Sequence, residues 1–172
     1  MLFKKKYLVV FFISAFSLSC TFEPLYSEKF LLEYEIIEPP KSNKELHEIY
    51  RNLNNLASIN ENSNSQYTVE LEAQSRFDDI DVREDEKVMR MGVSTTVIFK
   101  IREKNSDVIV FTGQSIGSNA FNRISEPYSN EIAKNDAVSK LSMTIAYDIR
   151  NQLALYSKKF KKWEENSKIF FQ

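Results

Sequence analysis

The stretch Met89–Arg102, MRMGVSTTVIFKIR, decides the fold because its side chains alternate in character along its length. One set of alternate positions carries Val93, Thr95, Val97, Phe99 and Ile101. The other set carries Arg90, Ser94, Thr96, Lys100 and Arg102. Because side chains of a β-strand point to opposite faces in turn, this period of two predicts a strand with one buried face and one open face.

The segments on either side of this strand predict a small sheet. Asn105 and Ser106 predict a turn, and Asp107–Gly113 (DVIVFTG) is apolar on both faces, which predicts a second strand in a hairpin with the first. Upstream, Gln66–Ala73 alternates and predicts another half-buried strand. The charged stretch between them, Phe77–Lys87, is predicted to be a connection.

A further strand and a helix are predicted near the start of the soluble sequence. Phe30–Ile37 is rich in aromatic and branched residues and ends before Pro39 and Pro40, which cannot continue a strand ladder. Ser42 followed three residues later by Glu45 is typical of a capping box, and apolar residues then recur every three or four positions. A helix of about 14 residues is therefore predicted, followed by a polar loop at 60–65.

A long amphipathic helix is predicted at the end of the chain, from about Pro127 to about Phe160, with the basic sequence KKFKKW at its end. Its apolar stripe comprises Val138, Leu141, Ile145, Ile149, Leu153 and Tyr156. The predicted order is β-α-β-β-β-α. This order indicates an α+β fold in which two helices cover one face of a mixed four-stranded sheet and the other face stays open.

Composition narrows the class of protein. With 172 residues and 42% apolar content, the chain is long enough for one core, so residues 20–172 are predicted to form a single domain. The net charge is -1, and removal of the three lysines among the first nineteen residues would leave -4, which argues against nucleic-acid binding. One cysteine cannot form an internal disulfide or a cysteine-rich metal site.

The amino terminus has the layout of a secretory signal peptide, predicted at residues 1–19. Met1–Lys6 is basic, and the apolar run Tyr7–Leu18 would span only about 18 Å as a helix, against about 30 Å for a hydrocarbon core. Ser17-Leu18-Ser19-Cys20 resembles the lipobox of bacterial lipoproteins, although Ser17 stands where that pattern usually has leucine. The resemblance implies that Cys20 carries a covalent lipid; the alternative is a thiol retained beside an ordinary signal peptide. Thr21, in place of aspartate, favours the outer membrane.

The candidate binding residues lie on the open sheet face. Alternation places Arg90, Lys100 and Arg102 there, where their cations could bind an anionic ligand such as a lipid phosphate. The alternative is that they pair with Glu70 and Glu72 across the sheet.

No catalytic or metal site is predicted. The acidic run Asp78–Glu86 has no glycine for an EF-hand loop and is interpreted as a solvated connection. His47 is the only histidine and is predicted to occupy a surface position on the first helix. Gly92, Gly113 and Gly117 are too sparse for a phosphate-binding loop and are assigned to local backbone geometry in or beside strands. The carboxy-terminal lysines are either a lipid contact or a solvated helix end; they are Lys158, Lys159, Lys161 and Lys162.

Cys20–Tyr26 (CTFEPLY) resembles the opening of the mature lipopolysaccharide-assembly lipoproteins of the LptE family in their alphaproteobacterial form. Gly113-Gln114-Ser115 and Ile149–Tyr156 (IRNQLALY) resemble later parts of that family, whereas Ser129 replaces a frequent alanine. Tyr67, Arg90, Tyr128, Asp136 and Ala137 occur in the expected order.

The resemblance implies a non-enzymatic outer-membrane lipoprotein, anchored on the periplasmic side with no cofactor beyond its lipid. It implies that the protein plugs the LptD-like β-barrel of the lipopolysaccharide translocon and handles lipopolysaccharide. Two other classes stay open: an auxiliary lipoprotein of an inner-membrane transport system, and a periplasmic hydrolase, which would need a nucleophile near His47.

Overall fold

The computed structural model describes residues 34–57, 65–82 and 88–170. Its elements are β1 (Tyr34–Ile36), α1 (Lys44–Ala57), β2 (Tyr67–Val82), β3 (Val88–Glu103), β4 (Ile109–Asn122) and α2 (Pro127–Phe170). The strands form one sheet in the order β1-β2-β3-β4, in which β1 runs parallel to β2 and the other neighbours are antiparallel. The predicted α+β fold and its element order are confirmed.

The core lies between one face of the sheet and the two helices. Val97, Phe99 and Ile101 of β3 are fully buried, as the alternation predicts, and they belong to one cluster with Leu53 of α1 and Ile149 of α2. Burial of such large side chains stabilises a fold by roughly 1.5–3 kcal/mol each. Both helices therefore cover the same sheet face.

The cap of α1 differs from the prediction. The side chain of Asn43, and not that of Ser42, accepts a hydrogen bond from the Leu46 N–H at 3.0 Å, and the Asn43 carbonyl accepts from the His47 N–H at 3.0 Å. Asn43 therefore occupies the N-cap position, where asparagine and serine are about equally favourable. The predicted capping box of Ser42 and Glu45 is wrong by one residue.

The strand β2 is longer than predicted and continues to Val82, so the connection predicted from Phe77 is wrong in its first part. Asp78 and Asp79 pair with β3, and the register shifts beside Asp81. Phe77 packs against the core and opposes Val93, which keeps this acidic segment in the ladder despite its low strand propensity. Residues 83–87 lie outside the described part of the chain.

The last strand and the last helix also exceed their predicted lengths. β4 continues past Gly113 to Asn122, and α2 begins at Pro127, as predicted, but continues to Phe170. Gly113 and Gly117 lie within β4, so their predicted location in a strand is confirmed. Neither has a positive φ, and a Cβ atom there would collide with the ring of Phe99 or with Leu141, so their role is close packing. These two glycines let the core ring and α2 approach the strand closely.

A buried polar contact ties the first strand to the last helix. The Tyr34 hydroxyl lies 2.7 Å from the Ser157 hydroxyl, which donates a hydrogen bond to the Leu153 carbonyl at 2.8 Å. Burial raises the pKa of Tyr34 well above its usual value of 10.0.

The signal peptide, Cys20, and residues 30–33 of the predicted first strand lie outside the described residues. No helix in the described part of the chain is long and apolar enough to cross a membrane.

Candidate functional site

The sheet face opposite the helices is the candidate site, and we call it the open face. It is formed by alternate residues of β2, β3 and β4, whose registers place them side by side. Lys100 and Arg102 lie on it, between Glu70 and Glu72 on one side and Thr112 on the other. The sequence prediction that these two cations share the open face is therefore confirmed.

These two cations are held by acidic partners from β2. Lys100 Nζ donates to Glu72 Oε1 at 2.6 Å, and two nitrogens of Arg102 donate to the two carboxylate oxygens of Glu70 at 3.3 Å each. Arg102 also lies 3.2 Å from the Asp107 carboxylate. The hydrogen bonds that Arg102 donates to Glu70 raise the pKa of the Arg102 guanidinium above its usual value. The pairing foreseen as the alternative is thus present, so an anion would have to displace these carboxylates.

Arg90 lies apart from the other two candidates. It is exposed, and its strand neighbours are Asp81 on β2 and Asn122 on β4. Lys100 lies ten positions further along β3, which corresponds to about 33 Å along an extended strand. The structure therefore does not bring the three predicted residues into one site, although all three belong to the same strand.

A neutral band separates the two charged ends of the open face. Thr96 of β3 opposes Ile116 of β4, and Ile98 lies diagonal to Ile116. Ile98 is 38% exposed and Ile116 is 68% exposed. Sequence reasoning assigned no role to Ile116, although a run without charged residues from Ile109 to Asn122 was visible.

The remaining sequence candidates do not assemble a reactive site within the described residues. His47 lies on α1, as predicted, with its Nδ1 atom buried, without a described hydrogen-bond partner, and 3.9 Å from Glu38 Oε1. Of the acidic run, Asp78 bonds Arg76 at 2.8 Å, and this hydrogen bond raises the pKa of Arg76 above its usual value. Within residues 34–57, 65–82 and 88–170, no three histidine, cysteine or acidic side chains form a metal-binding group.

The carboxy-terminal lysines lie within α2 and not at its end. Lys158 and Lys159 precede eleven further helical residues, which extend to Phe170. The helix does not end at these lysines, so their positive charge is not explained by an interaction with the dipole at a helix end. The lipid-contact alternative stays a prediction.

Comparison with solved structures shows that bacterial lipoproteins share this fold. A protein from Caulobacter crescentus, described by name as a lipoprotein, superimposes with a TM-score of 0.60 at 14% identity, over 73% of this chain and 90% of that one. A minor lipoprotein from Acinetobacter baumannii gives a TM-score of 0.57 at 12% identity, over 73% and 93% of the two chains.

The rare lipoprotein B from Shewanella oneidensis has the same fold, with a TM-score of 0.53 at 12% identity, over 76% of this chain and 97% of that one. Neither a protein-family model nor a curated protein sequence matches the chain. At these identities the likeness establishes the fold alone.

Proposed function

We propose that this chain is a lipid-anchored subunit of the lipopolysaccharide translocon, of the LptE type. In this proposal Cys20 carries the lipid, the protein faces the periplasm from the outer membrane, and its partner is an LptD-like β-barrel that it plugs. The observation that carries the proposal is the shared fold with rare lipoprotein B over 97% of that protein's length. The sequence CTFEPLY at residues 20–26 supports the same family.

The geometry supports a binding subunit and not an enzyme. The open face combines an ion-paired end at Lys100 and Arg102, a neutral band around Ile116, and a separate cation at Arg90. Such a surface can contact another molecule over a broad area, and it requires no nucleophile or metal. Among the structural relatives, none of the names given above denotes an enzyme.

Within this proposal, the open face contacts the phosphate groups of lipopolysaccharide. Arg90 is the residue best placed for direct contact because it is exposed, whereas a phosphate must compete with Glu72 for Lys100 and with Glu70 for Arg102. A guanidinium binds phosphate through paired hydrogen bonds. Arg90→Gln should therefore weaken lipopolysaccharide binding by several-fold, as measured with labelled lipopolysaccharide and the detergent-purified protein.

Arg76→Gln is the matched control for that substitution. Arg76 is also an exposed strand arginine, but its guanidinium is held by Asp78. Its removal should leave binding unchanged. Equal loss in both variants would show that total charge, and not Arg90, governs binding.

Co-purification tests the proposed partner. The full chain with a carboxy-terminal tag is extracted from cell envelopes in mild detergent, and captured proteins are identified by mass spectrometry; an unrelated tagged lipoprotein serves as the control. We expect a large outer-membrane β-barrel to be enriched with this chain alone. Absence of such a barrel would overturn the proposal.

Membrane fractionation separates the proposal from its alternative, an auxiliary lipoprotein of an inner-membrane transport system. Outer and inner membranes are resolved on a density gradient, and the tagged chain is followed by immunoblot. We expect it in the outer-membrane fractions. Residence in the inner membrane would favour the alternative.

A further inference from the structure

Three consecutive apolar side chains are exposed where β4 begins, and we call residues 108–110 the hairpin tip. Val108, Ile109 and Val110 are 54%, 45% and 36% exposed, and no other adjacent large apolar side chains of the described residues are exposed to this degree. The register with β3 shifts between Ile101 and Arg102, so Val110 is the unpaired extra residue of a bulge. Single exposed apolar residues are common on protein surfaces, whereas a contiguous group is typical of a contact with another molecule or a membrane.

The hairpin tip lies at the end of the sheet from which the amino-terminal segment leaves. Tyr34 at the start of β1 pairs with Tyr67 of β2, which pairs with Glu103 at the end of β3. The Glu103 N–H donates to the Val108 carbonyl at 3.0 Å, so the start of β1 and the hairpin tip lie at the same end. In the proposed function Cys20 carries a lipid, and Tyr34 follows it by fourteen residues, which reach at most about 50 Å when fully extended. This end, which we call the tether end, is therefore the end held nearest the bilayer.

The basic part of the last helix lies at the tether end as well. The Tyr156 ring of α2 lies 4.7 Å from the ring of Phe111, the residue that directly follows the hairpin tip. The sequence from 153 to 163 contains four lysines and no acidic residue, and Lys159 among them is exposed. Positive charge combined with exposed apolar side chains is typical of surfaces that contact an anionic bilayer.

We infer that the hairpin tip inserts among the headgroups of the bilayer that holds the Cys20 lipid, with the α2 lysines against its anionic surface. The inference rests on the lipid of the proposed function, but on neither its barrel nor lipopolysaccharide. Asp107, beside the tip, lies 3.2 Å from Arg102 in an ion pair, so it adds no net negative charge there. A bilayer is favoured over a protein partner because the tether itself brings the bilayer to the end that carries both the apolar and the basic residues.

This contact would orient the protein and would not anchor it. Three apolar side chains are too few to hold a protein on a bilayer, so the contact acts on a body that the lipid already retains. In the proposed complex the tether end lies at the periplasmic mouth of the barrel. The opposite end of the sheet is then the end that enters the lumen, so the contact is compatible with a plug.

Fluorescence from a single labelled position tests the contact in the full, lipidated chain. Cys20 is the only cysteine, so an introduced cysteine is the only free thiol once the Cys20 sulfur carries its lipid. Ile109→Cys is labelled with the polarity-sensitive dye NBD and reconstituted into vesicles of phosphatidylcholine and phosphatidylglycerol. Ile80→Cys is the matched control, because Ile80 is 57% exposed and lies near the other end of β2. We expect a blue shift of NBD emission, and its quenching by lipids with a spin label on the acyl chain, for Ile109→Cys alone.

Flotation of the vesicles separates failure of this inference from failure of the proposed lipidation. If the labelled chains float but Ile109→Cys shows no shift, or the same shift as Ile80→Cys, the hairpin tip does not contact the bilayer. If neither chain floats, Cys20 carries no lipid, and the inference falls with the proposed anchor. A shift in native membranes that is absent from the vesicles would assign the hairpin tip to a protein partner and would also overturn the inference.

Replacement of one lysine tests the charge of this surface. Lys159→Gln is added to the labelled Ile109→Cys chain, and Lys140→Gln is the matched control. Lys140 is also exposed on α2, but it lies about 28 Å further back along the helix and pairs with Asp136. We expect Lys159→Gln to reduce the NBD signal several-fold in vesicles that contain phosphatidylglycerol, and Lys140→Gln to leave it unchanged. Equal signals in the two variants would contradict a bilayer contact that includes the α2 lysines.

Discussion

Of the three glycines, Gly113 has the least room for an added methyl group. A Cβ atom there would lie 2.2 Å from the nearest ring carbon of Phe99, which is fully buried and cannot move aside. Overpacking of this kind costs about 1–3 kcal/mol. Gly113→Ala should therefore lower the free energy of unfolding by about 3 kcal/mol, as measured by urea denaturation.

Gly92→Ala is the matched control for that substitution. Its added Cβ would lie 2.8 Å from Cδ1 of Ile80, a side chain that is 57% exposed and can rotate away. Gly92 is itself buried, but the flexible end of Ile80 can give way, so the free energy of unfolding should fall by less than about 1 kcal/mol, the lower end of overpacking costs. Equal losses in the two variants would show that strand glycines as such, and not the Phe99 contact, determine the effect.

Tyr34 gives the fold a dependence on alkaline pH. Burial raises its pKa in the folded state above the usual 10.0, so the folded protein holds this proton more tightly than the unfolded chain. The resulting stability is fully present below pH 10 and is lost as the pH rises above it. Between pH 8 and pH 11 the Tyr34 contribution should fall by about 1.4 kcal/mol.

Urea denaturation of Tyr34→Phe at both pH values measures this contribution. The variant should lose less stability than the wild type over the same interval. Tyr147→Phe is the control because Tyr147 is an exposed tyrosine on α2, so its removal should leave the pH dependence of the wild type intact. If Tyr34→Phe and the wild type lose stability equally, ionisation of Tyr34 does not limit the fold.

Individual residues were predictable from sequence only where a local period governed them. The alternation in β3 identified Val97, Phe99 and Ile101 as buried, and the structure confirms it. The contact between Tyr34 and Ser157 joins residues 123 positions apart, so no local pattern reports it. Its only trace in the sequence is a tyrosine at the start of a strand and a serine within an apolar helix stripe.

At the scale of the element, Asn43 fixes where α1 begins. Its side chain satisfies the Leu46 N–H, one of the unpaired donors of the first turn. Asn43→Ala should therefore lower the free energy of unfolding by about 1 kcal/mol. Ser42→Ala should change it little. Both variants are measured by thermal or urea denaturation. A larger loss of stability in Ser42→Ala than in Asn43→Ala would support the capping box predicted from Ser42 and Glu45.

Element lengths were harder to predict than element types. The acidic residues Asp78 and Asp79 predict a loop from their sequence, but antiparallel pairing with β3 extends β2 through them. The segment after Gly113 is polar and has no strong period, yet pairing with the same strand carries β4 to Asn122. In both cases hydrogen bonds to a long central strand outweigh weak local preference. That central strand was itself predicted nearly residue for residue, because alternation ran through its whole length.

At the scale of the whole molecule, the sequence located two of the three candidate residues and left open whether they are free or paired with Glu70 and Glu72; the structure shows the pairing for Lys100 and Arg102. Parity placed Lys100 and Arg102 on one open face, as the structure confirms. Each cation bonds a glutamate that lies diagonally across from it on β2. The alternation along a single strand shows which face a side chain lies on, but it does not specify which residues of the neighbouring strand are within hydrogen-bonding distance. Arg90 lies ten positions from Lys100 along β3. A large ligand could therefore contact both Arg90 and the Lys100–Arg102 pair, whereas a single phosphate group could not.

Attachment to the membrane is predicted to depend on Cys20 alone and to be separable from folding. The described elements, from Tyr34 to Phe170, include the core cluster and the Tyr34–Ser157 contact, and none of these requires a lipid at residue 20. Two or more acyl chains anchor a protein stably, whereas none leaves only weak surface contacts. Cys20→Ala should therefore abolish labelling with radioactive fatty acid and release the chain from washed membranes.

The thermal unfolding midpoint of the released protein should match that of the wild type in the same detergent. Labelling that persists in Cys20→Ala would place the lipid elsewhere, and an unfolded variant would show that the anchor region contributes to the body of the protein.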